Sequence, residues 1–155
     1  MKKVGKILGY FILFVAVVFV GAGIWFRIAP SDPTVWHTDP ALAEPGPGRV
    51  VLKADGGDRA GPEFDMAPEA VLTQFDAIAM AEPRTTRLAG GPDKGRITYV
   101  SRSLVMGFPD YTTVEAVPTE TGTQLIIHGR LRYGQSDMGV NSARVDRWLA
   151  QLGQG

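Results

Sequence analysis

A run of twenty uncharged residues near the start of the chain, ILGYFILFVAVVFVGAGIWF, constrains the fold more than any other feature. It extends from Ile7 to Phe26. At roughly 1.5 Å per residue, a helix of this length spans about 30 Å, which matches the hydrocarbon layer of a bilayer. The sequence therefore predicts a transmembrane anchor over residues 1–29, with a basic tip before the apolar run.

A cleaved signal peptide is the competing interpretation of this run. The apolar region of a signal peptide is normally about 7 to 15 residues long, and small residues follow it at the cleavage site. Here Trp25 and Phe26 end the run, and bulky aromatic residues at this place suit the interfacial belt of a membrane helix better than a protease site. An uncleaved, single-pass anchor is therefore predicted.

The charges around the anchor predict its orientation. Lys2, Lys3 and Lys6 precede the apolar run, whereas Arg27 alone follows it closely. The positive-inside rule then places the N-terminus in the cytoplasm and the remaining chain beyond the membrane. We expect an inner-membrane protein whose C-terminal domain is periplasmic or extracellular, with the lipid bilayer as its first partner.

Charge and composition exclude several classes of function. After residue 30 there are 12 basic and 16 acidic residues, a net charge of −4, so nucleic acid is not an expected partner. The chain has no cysteine and two histidines, which excludes disulfides and thiolate chemistry. The histidines and aspartates lack the spacing of zinc or calcium sites. We therefore expect neither a metal nor a cofactor.

The segment after the anchor, residues 30–48, contains five prolines and little apolar periodicity. This composition is typical of an extended tether between a bilayer and a folded body. Trp36 and His37 interrupt it. A tryptophan here either rests on lipid headgroups or packs on the domain.

The remaining residues, 49–155, have the pattern of an α+β domain. A short strand is predicted within residues 48–54, a helix over 68–81, and strands at 84–89, 96–104, 111–117 and 123–133. The short connections are rich in Gly, Pro and Asp and suit hairpins. An amphipathic helix, capped by Asn141 or Ser142, closes the chain. The predicted fold is an antiparallel β-meander packed with two helices as a two-layer sandwich.

One candidate site lies between the last strand and the closing helix. Two arginines of the strand share a face, and the following loop leads to a helix N-terminus, where unpaired N–H groups attract anions. A third arginine, Arg102, joins this site if its strand lies next to the last strand in the sheet. The candidate ligand-binding residues are Arg102, Arg130, Arg132, Ser136, Asp137, Asn141 and Arg144.

The same residues also have a purely structural interpretation, because Asp110 and Asp137 can pair with the arginines and Asn141 can cap the helix. A catalytic role for these residues is less expected than a structural or ligand-binding one. The segment GQSDMG departs by one residue from the G-x-S-x-G pattern of a nucleophile elbow, and no histidine follows Ser136. No catalytic residue is assigned.

Two segments, TYVSRSLVMGFPDYTTVEAV and GRLRYGQSDMGVNSARVDRWLAQL, resemble the bacterial proteins grouped as domain of unknown function 1499. The matching positions are Tyr99, Arg102, Ser103, Gly107, Phe108, Asp110, Gly134, Ser136, Asp137, Gly139, Val140, Asn141 and Arg144. The resemblance covers about residues 60–152. Many relatives carry two cysteines in a proline-rich segment, and this chain has none. The resemblance implies a shared fold, often alongside membrane segments, and no mechanism.

The leading hypothesis is a membrane-anchored domain that binds an anionic small molecule, a lipid headgroup or an envelope protein. Two alternatives stay open. One is an envelope hydrolase acting on an ester or phosphoester, although an enzyme is less expected than a binding protein. The other is a non-catalytic assembly module.

Overall fold

The structure, a computed structural model, describes residues 2–153. Met1, Gln154 and Gly155, which fall in the predicted ranges 1–29 and 49–155, lie outside the described residues. The first element is a helix, α1 (Lys2–Ile28), which contains the apolar run and is long and apolar enough to cross a membrane. Its large apolar side chains are mostly exposed, which fits either a membrane anchor or a signal sequence.

The elements that follow confirm the predicted α+β fold. In chain order they are α2 (Pro33–Trp36), β1 (Arg49–Leu52), β2 (Glu63–Phe64), α3 (Pro68–Ala81), β3 (Thr85–Gly91), β4 (Arg96–Arg102), β5 (Pro109–Pro118), β6 (Thr123–Leu131) and α4 (Val140–Leu152). The strands form one open antiparallel sheet in the order β1-β6-β5-β4-β3, and β2 also pairs with β6. The two-residue strand β2 lies between the predicted strand at 48–54 and the predicted helix at 68–81, where no strand was predicted.

Helices α3 and α4 pack on one face of the sheet and form the core with it. Phe75 of α3, Trp148 of α4 and Tyr99 of β4 are fully buried, and the Trp148 ring centroid lies 5.7 Å from each of the other two. Aromatic edge contacts of this kind add to the stability that burial gives. Both helices thus lie on the same face of the sheet, as the predicted sandwich requires.

The opposite face of the sheet is covered by residues 30–48, which we call the strap. The Trp36 ring stacks on the Tyr111 ring at 3.9 Å between centroids, and His37 Nδ1 lies 2.8 Å from Thr98 Oγ1. The segment was expected to be an extended tether. It packs instead, because the polar face of the sheet offers it an aromatic ring and hydroxyl groups.

One end of the sheet lies against the end of α1, and we call it the anchor end. Strand β4 ends there and β5 begins there, so the loops 103–108 and 132–139 leave the sheet on the same side. The Phe26 ring of α1 lies 4.5 Å from the Phe108 ring and 4.9 Å from the Tyr133 ring. Both loops therefore lie next to the last turns of α1.

The start of α4 differs from the prediction. Its N-cap residue is Gly139, with a positive φ of 82°, and not Asn141 or Ser142. The capping oxygen comes from Asp137, whose Oδ2 accepts a hydrogen bond from Asn141 N at 2.8 Å and whose Oδ1 accepts one from Gly139 N at 3.2 Å. A carboxylate satisfies two of the unpaired N–H groups at this helix start.

Candidate functional site

A line of hydrogen bonds crosses the sheet face beneath the strap. Thr98 Oγ1, which contacts His37, lies 2.9 Å from Thr113 Oγ1. Thr113 Oγ1 in turn accepts a hydrogen bond from Arg130 Nη1 at 3.3 Å. Both threonines are fully buried. Buried polar groups with partners make a face rigid, so this line fixes the position of Arg130.

Arg130 is a largely buried cation. Its Nη2 atom donates to the carbonyl oxygen of Trp36, and its guanidinium carbon lies 5.5 Å from the centroid of the Trp36 ring. Burial lowers the pKa of Arg130 to about 10, so the group stays protonated at neutral pH. Within residues 2–153, no carboxylate lies within 4.0 Å of it.

His128 lies beside Arg130, and burial keeps its imidazole ring neutral. Its Nδ1 atom is 3.1 Å from Arg130 Nη1, so the arginine donates and the histidine accepts. Burial, with the charges of Arg130, Arg49 and Lys53, lowers the pKa of His128 to about 3. The Nε2 atom of His128 is buried and has no hydrogen-bond partner among the described residues.

A groove of about 710 Å³ opens at the anchor end between the strap, β1 and the loop 132–139. The lining residues are Trp36, Pro47, Gly48, Arg49, Arg130, Leu131, Gly134, Gln135 and Ser136. Two of them are arginines, and none is acidic. The groove thus has an aromatic wall, two cations and hydrogen-bonding groups, a lining that is chemically compatible with an anionic ligand.

The two arginines of the groove stand directly opposite each other in the sheet. Arg49 of β1 is the register partner of Arg130 of β6. Like charges in directly opposite positions of an antiparallel pair destabilise it. Arg49 donates to the carbonyl oxygen of Glu44 at 3.3 Å, but it too has no carboxylate within 4.0 Å among the described residues. The pair thus leaves an excess of positive charge in the groove.

Two other predicted arginines do not line the groove. Arg132 Nη1 donates to Pro30 O at 2.7 Å, and its guanidinium carbon lies 5.1 Å from the Tyr133 ring centroid. Arg102 donates to the carbonyl oxygens of Phe26, at 2.6 Å, and Ala29, at 3.1 Å. Both side chains hold the end of α1 or the start of the strap to the sheet.

The predicted residues at the start of α4 form a buried structural cluster. Arg144 Nη1 donates to Asn141 Oδ1 at 2.6 Å, and Arg144 Nη2 donates to Asp110 Oδ2 at 3.4 Å. Burial raises the pKa of Asp110, although the charge of Arg144 opposes the rise. Together with the cap by Asp137, these contacts fix the loop 132–139. Their ligand-binding role stays a prediction.

Ser136 lines the groove without the partners of a nucleophile. Its Oγ atom accepts a hydrogen bond from Met138 N at 3.2 Å, and His128, whose pKa is about 3, is engaged by Arg130. A general base needs a partner within about 3 Å and a pKa near the working pH. Within residues 2–153, no group of three or more His, Asp or Glu residues is placed to hold a metal ion.

Among the aromatic and polar side chains that line the groove, sequence reasoning missed Trp36, Arg49 and Gln135. For Trp36 the sequence did offer a signal. It is a lone tryptophan in a proline-rich segment, and that segment has no apolar periodicity that would explain a large aromatic residue. Arg49 gave no signal, because its position opposite Arg130 depends on the register of two strands that are distant in the sequence.

Comparison with known proteins extends these findings. The model of the family described as protein of unknown function (DUF1499) matches residues 47–152. The crystal structure of protein MLL2253 from Mesorhizobium loti is similar at 14% identity and a TM-score of 0.47, over 68% of this chain and 94% of that one. No curated protein matches the sequence. Because the family match spans more than half of the chain, the protein belongs to the family of proteins of unknown function DUF1499.

Proposed function

We propose that this protein is a membrane-anchored binding protein that holds an anionic group, of phosphate or carboxylate chemistry, in the groove lined by Arg49 and Arg130. The observation that carries the proposal is the pairing of these two arginines across β1 and β6 with no carboxylate within 4.0 Å among the described residues. A bound anion removes the repulsion between the two charges. Its binding is then coupled to the stability of the sheet.

The rigidity of the groove supports this function. Arg130 is held by Thr113, His128 and the Trp36 carbonyl oxygen, so its guanidinium group is positioned before a ligand arrives. Preorganised cations lose little conformational entropy on binding and therefore bind anions more tightly. Arg49 and Ser136 are exposed on the other side of the groove, where an incoming ligand meets them.

The proposed place of action is the outer surface of a bacterial inner membrane. In this proposal the apolar helix α1 is the anchor, and the positive-inside rule, applied to the lysines before it, supports a cytoplasmic N-terminus. Because the chain has no cysteine, single-cysteine variants test this topology. We expect Thr121→Cys, and not Lys3→Cys, to react with a membrane-impermeant maleimide in cells with a permeabilised outer membrane. The reverse pattern would contradict the topology.

Native mass spectrometry of the full chain, extracted from its own membrane, tests the binding function. We expect wild-type protein to retain one more anionic molecule than Arg49→Gln does. A retained phospholipid and a retained water-soluble phosphate or carboxylate compound differ in mass, so the same spectrum identifies the source.

Arg59→Gln is the matched control for this experiment. Arg59 is partly exposed like Arg49, but it pairs with Asp146 of α4, on the helical side of the sheet. Its substitution should leave the retained molecule in place. A wild-type protein without any bound anion, or an Arg49→Gln variant that retains as much as wild type, would contradict the proposal.

A further inference from the structure

A second cleft, of about 320 Å³, lies beside the end of α1 and is separate from the groove. It is lined by Arg27, Arg84, Thr86, Arg102, Ser103 and Gly107. Three of the six lining residues are arginines, which come from α1, from the turn before β3 and from the end of β4. None of the six is acidic. The fold thus brings three distant parts of the sequence together around one positively charged cleft.

The three arginines contact backbone oxygens and not carboxylates. Arg27 Nη2 donates to the carbonyl oxygens of Leu104, at 2.9 Å, and Val105, at 2.7 Å. Arg84 Nε donates to the carbonyl oxygen of Arg102 at 3.2 Å. Among the residues that the structure describes, no acidic side chain lies within 4.0 Å of any of the three. Carbonyl dipoles do not neutralise three full charges, so the cleft attracts an anion.

The position of the cleft indicates which anion it would meet. Arg27 is the last basic residue of α1, and its hydrogen bonds hold the loop 103–108 at the end of that helix. In this loop Leu104 is 67% exposed and Val105 is 64% exposed. Apolar side chains beside the end of a membrane helix lie at the depth of the upper acyl chains, and the phosphates of the lipid headgroups lie just above them.

The backbone conformation of Arg84 is a second indication that the cleft binds a ligand. Its φ is 61°, in the left-handed region, where a residue with a Cβ atom costs about 1–2 kcal/mol relative to glycine. Asparagine adopts this region more readily than arginine does. Backbone strain of this kind at a residue whose side chain lines a cleft suggests a role beyond the fold.

We infer that the cleft binds the phosphate of a phospholipid in the bilayer that surrounds α1, while Leu104 and Val105 insert among the acyl chains of the same leaflet. The inference rests on α1 crossing the membrane, as proposed above, but not on ligand binding in the groove. It means that the domain is docked on the membrane surface by one lipid and one apolar loop.

Lipid retention by the full chain in nanodiscs that contain phosphatidylglycerol tests the cleft. We expect native mass spectrometry to show a phospholipid retained by wild type and about fivefold less by Arg84→Asn, since one arginine near a membrane surface contributes about that factor. Arg84→Asn should unfold at the same temperature as wild type or at a higher one, because asparagine relieves the backbone strain. Arg59→Gln, as control, should retain the lipid. Equal retention by Arg84→Asn would overturn the inference.

Added inorganic phosphate separates a lipid from a free anion as the ligand. A phospholipid whose acyl chains lie in the bilayer is not displaced by millimolar phosphate, so lipid retention should not change. Loss of the lipid on addition of phosphate would show that the cleft takes the free anion equally well, and the lipid assignment would then fail.

The insertion of the loop is tested with fluorophores attached to single cysteines and quenched by spin-labelled lipid. We expect quenching at Leu104→Cys and at Ile12→Cys in the anchor, and none at Thr121→Cys, which lies at the other end of the sheet. Quenching at position 12 without quenching at 104 would overturn the docking while leaving the anchor intact. The absence of quenching at both positions would overturn the anchor as well.

Discussion

The guanidinium carbon of Arg130 lies 5.5 Å from the centroid of the Trp36 ring, and Arg130 also donates a hydrogen bond to the carbonyl oxygen of Trp36. The two residues are 94 positions apart in the sequence. Their contact closes the strap over the sheet and at the same time forms one wall of the groove. Strap, sheet and candidate site therefore depend on the same pair.

Replacing Trp36 with alanine should weaken both the domain and the attachment of the strap. The change removes the stacking on Tyr111 and the cation–π contacts with Arg130 and Arg132. We expect a loss of about 2 kcal/mol in the free energy of unfolding, less than for a fully buried tryptophan. Chemical denaturation of the full chain in detergent measures this value, and limited proteolysis should show earlier cleavage within residues 30–48. A stable variant with a protected strap would contradict the packing described here.

Acid should destabilise the domain through His128. Its pKa in the folded state is about 3, whereas an unfolded chain titrates near the ordinary value of about 6.5. Between these values the unfolded state binds more protons, so stability is complete above about pH 6.5 and decreases as the pH falls towards 3. We expect His128 to account for a loss of about 3 kcal/mol between pH 7 and pH 4.

The variant His128→Gln isolates this contribution, because a Gln amide oxygen can still accept from Arg130 and does not titrate. His37, whose pKa is lowered mainly by burial, and the carboxylates titrate in both proteins, so the difference between their stability curves belongs to His128. Two parallel curves between pH 4 and pH 7 would show that His128 is not buried in its neutral form.

Replacing Asp137 should shorten or fray the start of α4. Burial raises the pKa of Asp137, but the hydrogen bonds from the backbone N–H groups of Asn141 and Gly139 outweigh it, and the net pKa lies below its ordinary value. We expect Asp137→Ala to cost about 1–2 kcal/mol, the usual value of a helix cap, and Asp137→Asn to cost less because the amide keeps an acceptor. Thermal melts of the two variants measure the order. An Asp137→Ala variant as stable as wild type would show that the cap contributes nothing.

The sheet and its helices were predictable because their signals are local. The strands from β3 to β6 follow one another through short connections, and each hairpin fixes the register of the next strand. The bounds of α3 agree with the prediction because Pro68 begins the helix and the residues before Pro83 end it. The two-residue strand β2 was not predictable, since two residues show no periodicity.

The strap and most of the groove were not predictable from local pattern. Trp36 acquires its role only through Tyr111 and Arg130, which are brought to it by the fold. Arg49 becomes part of the site only through its register with β6. The predicted Arg130 and Ser136 do line the groove, whereas Arg102 lines the second cleft. A polar strand face is also compatible with solvent, so the sequence pattern did not indicate that residues 30–48 cover this one.

The effect of inorganic phosphate on thermal unfolding tests the proposed groove most directly. Wild type, Arg49→Gln and Arg59→Gln are melted as full chains in detergent, with phosphate or with chloride at the same ionic strength. A ligand that binds only the folded state raises the unfolding temperature. We expect phosphate to raise it for wild type and Arg59→Gln by several degrees, and for Arg49→Gln much less. An equal rise in all three proteins, or no rise in wild type, would contradict an anion site between Arg49 and Arg130.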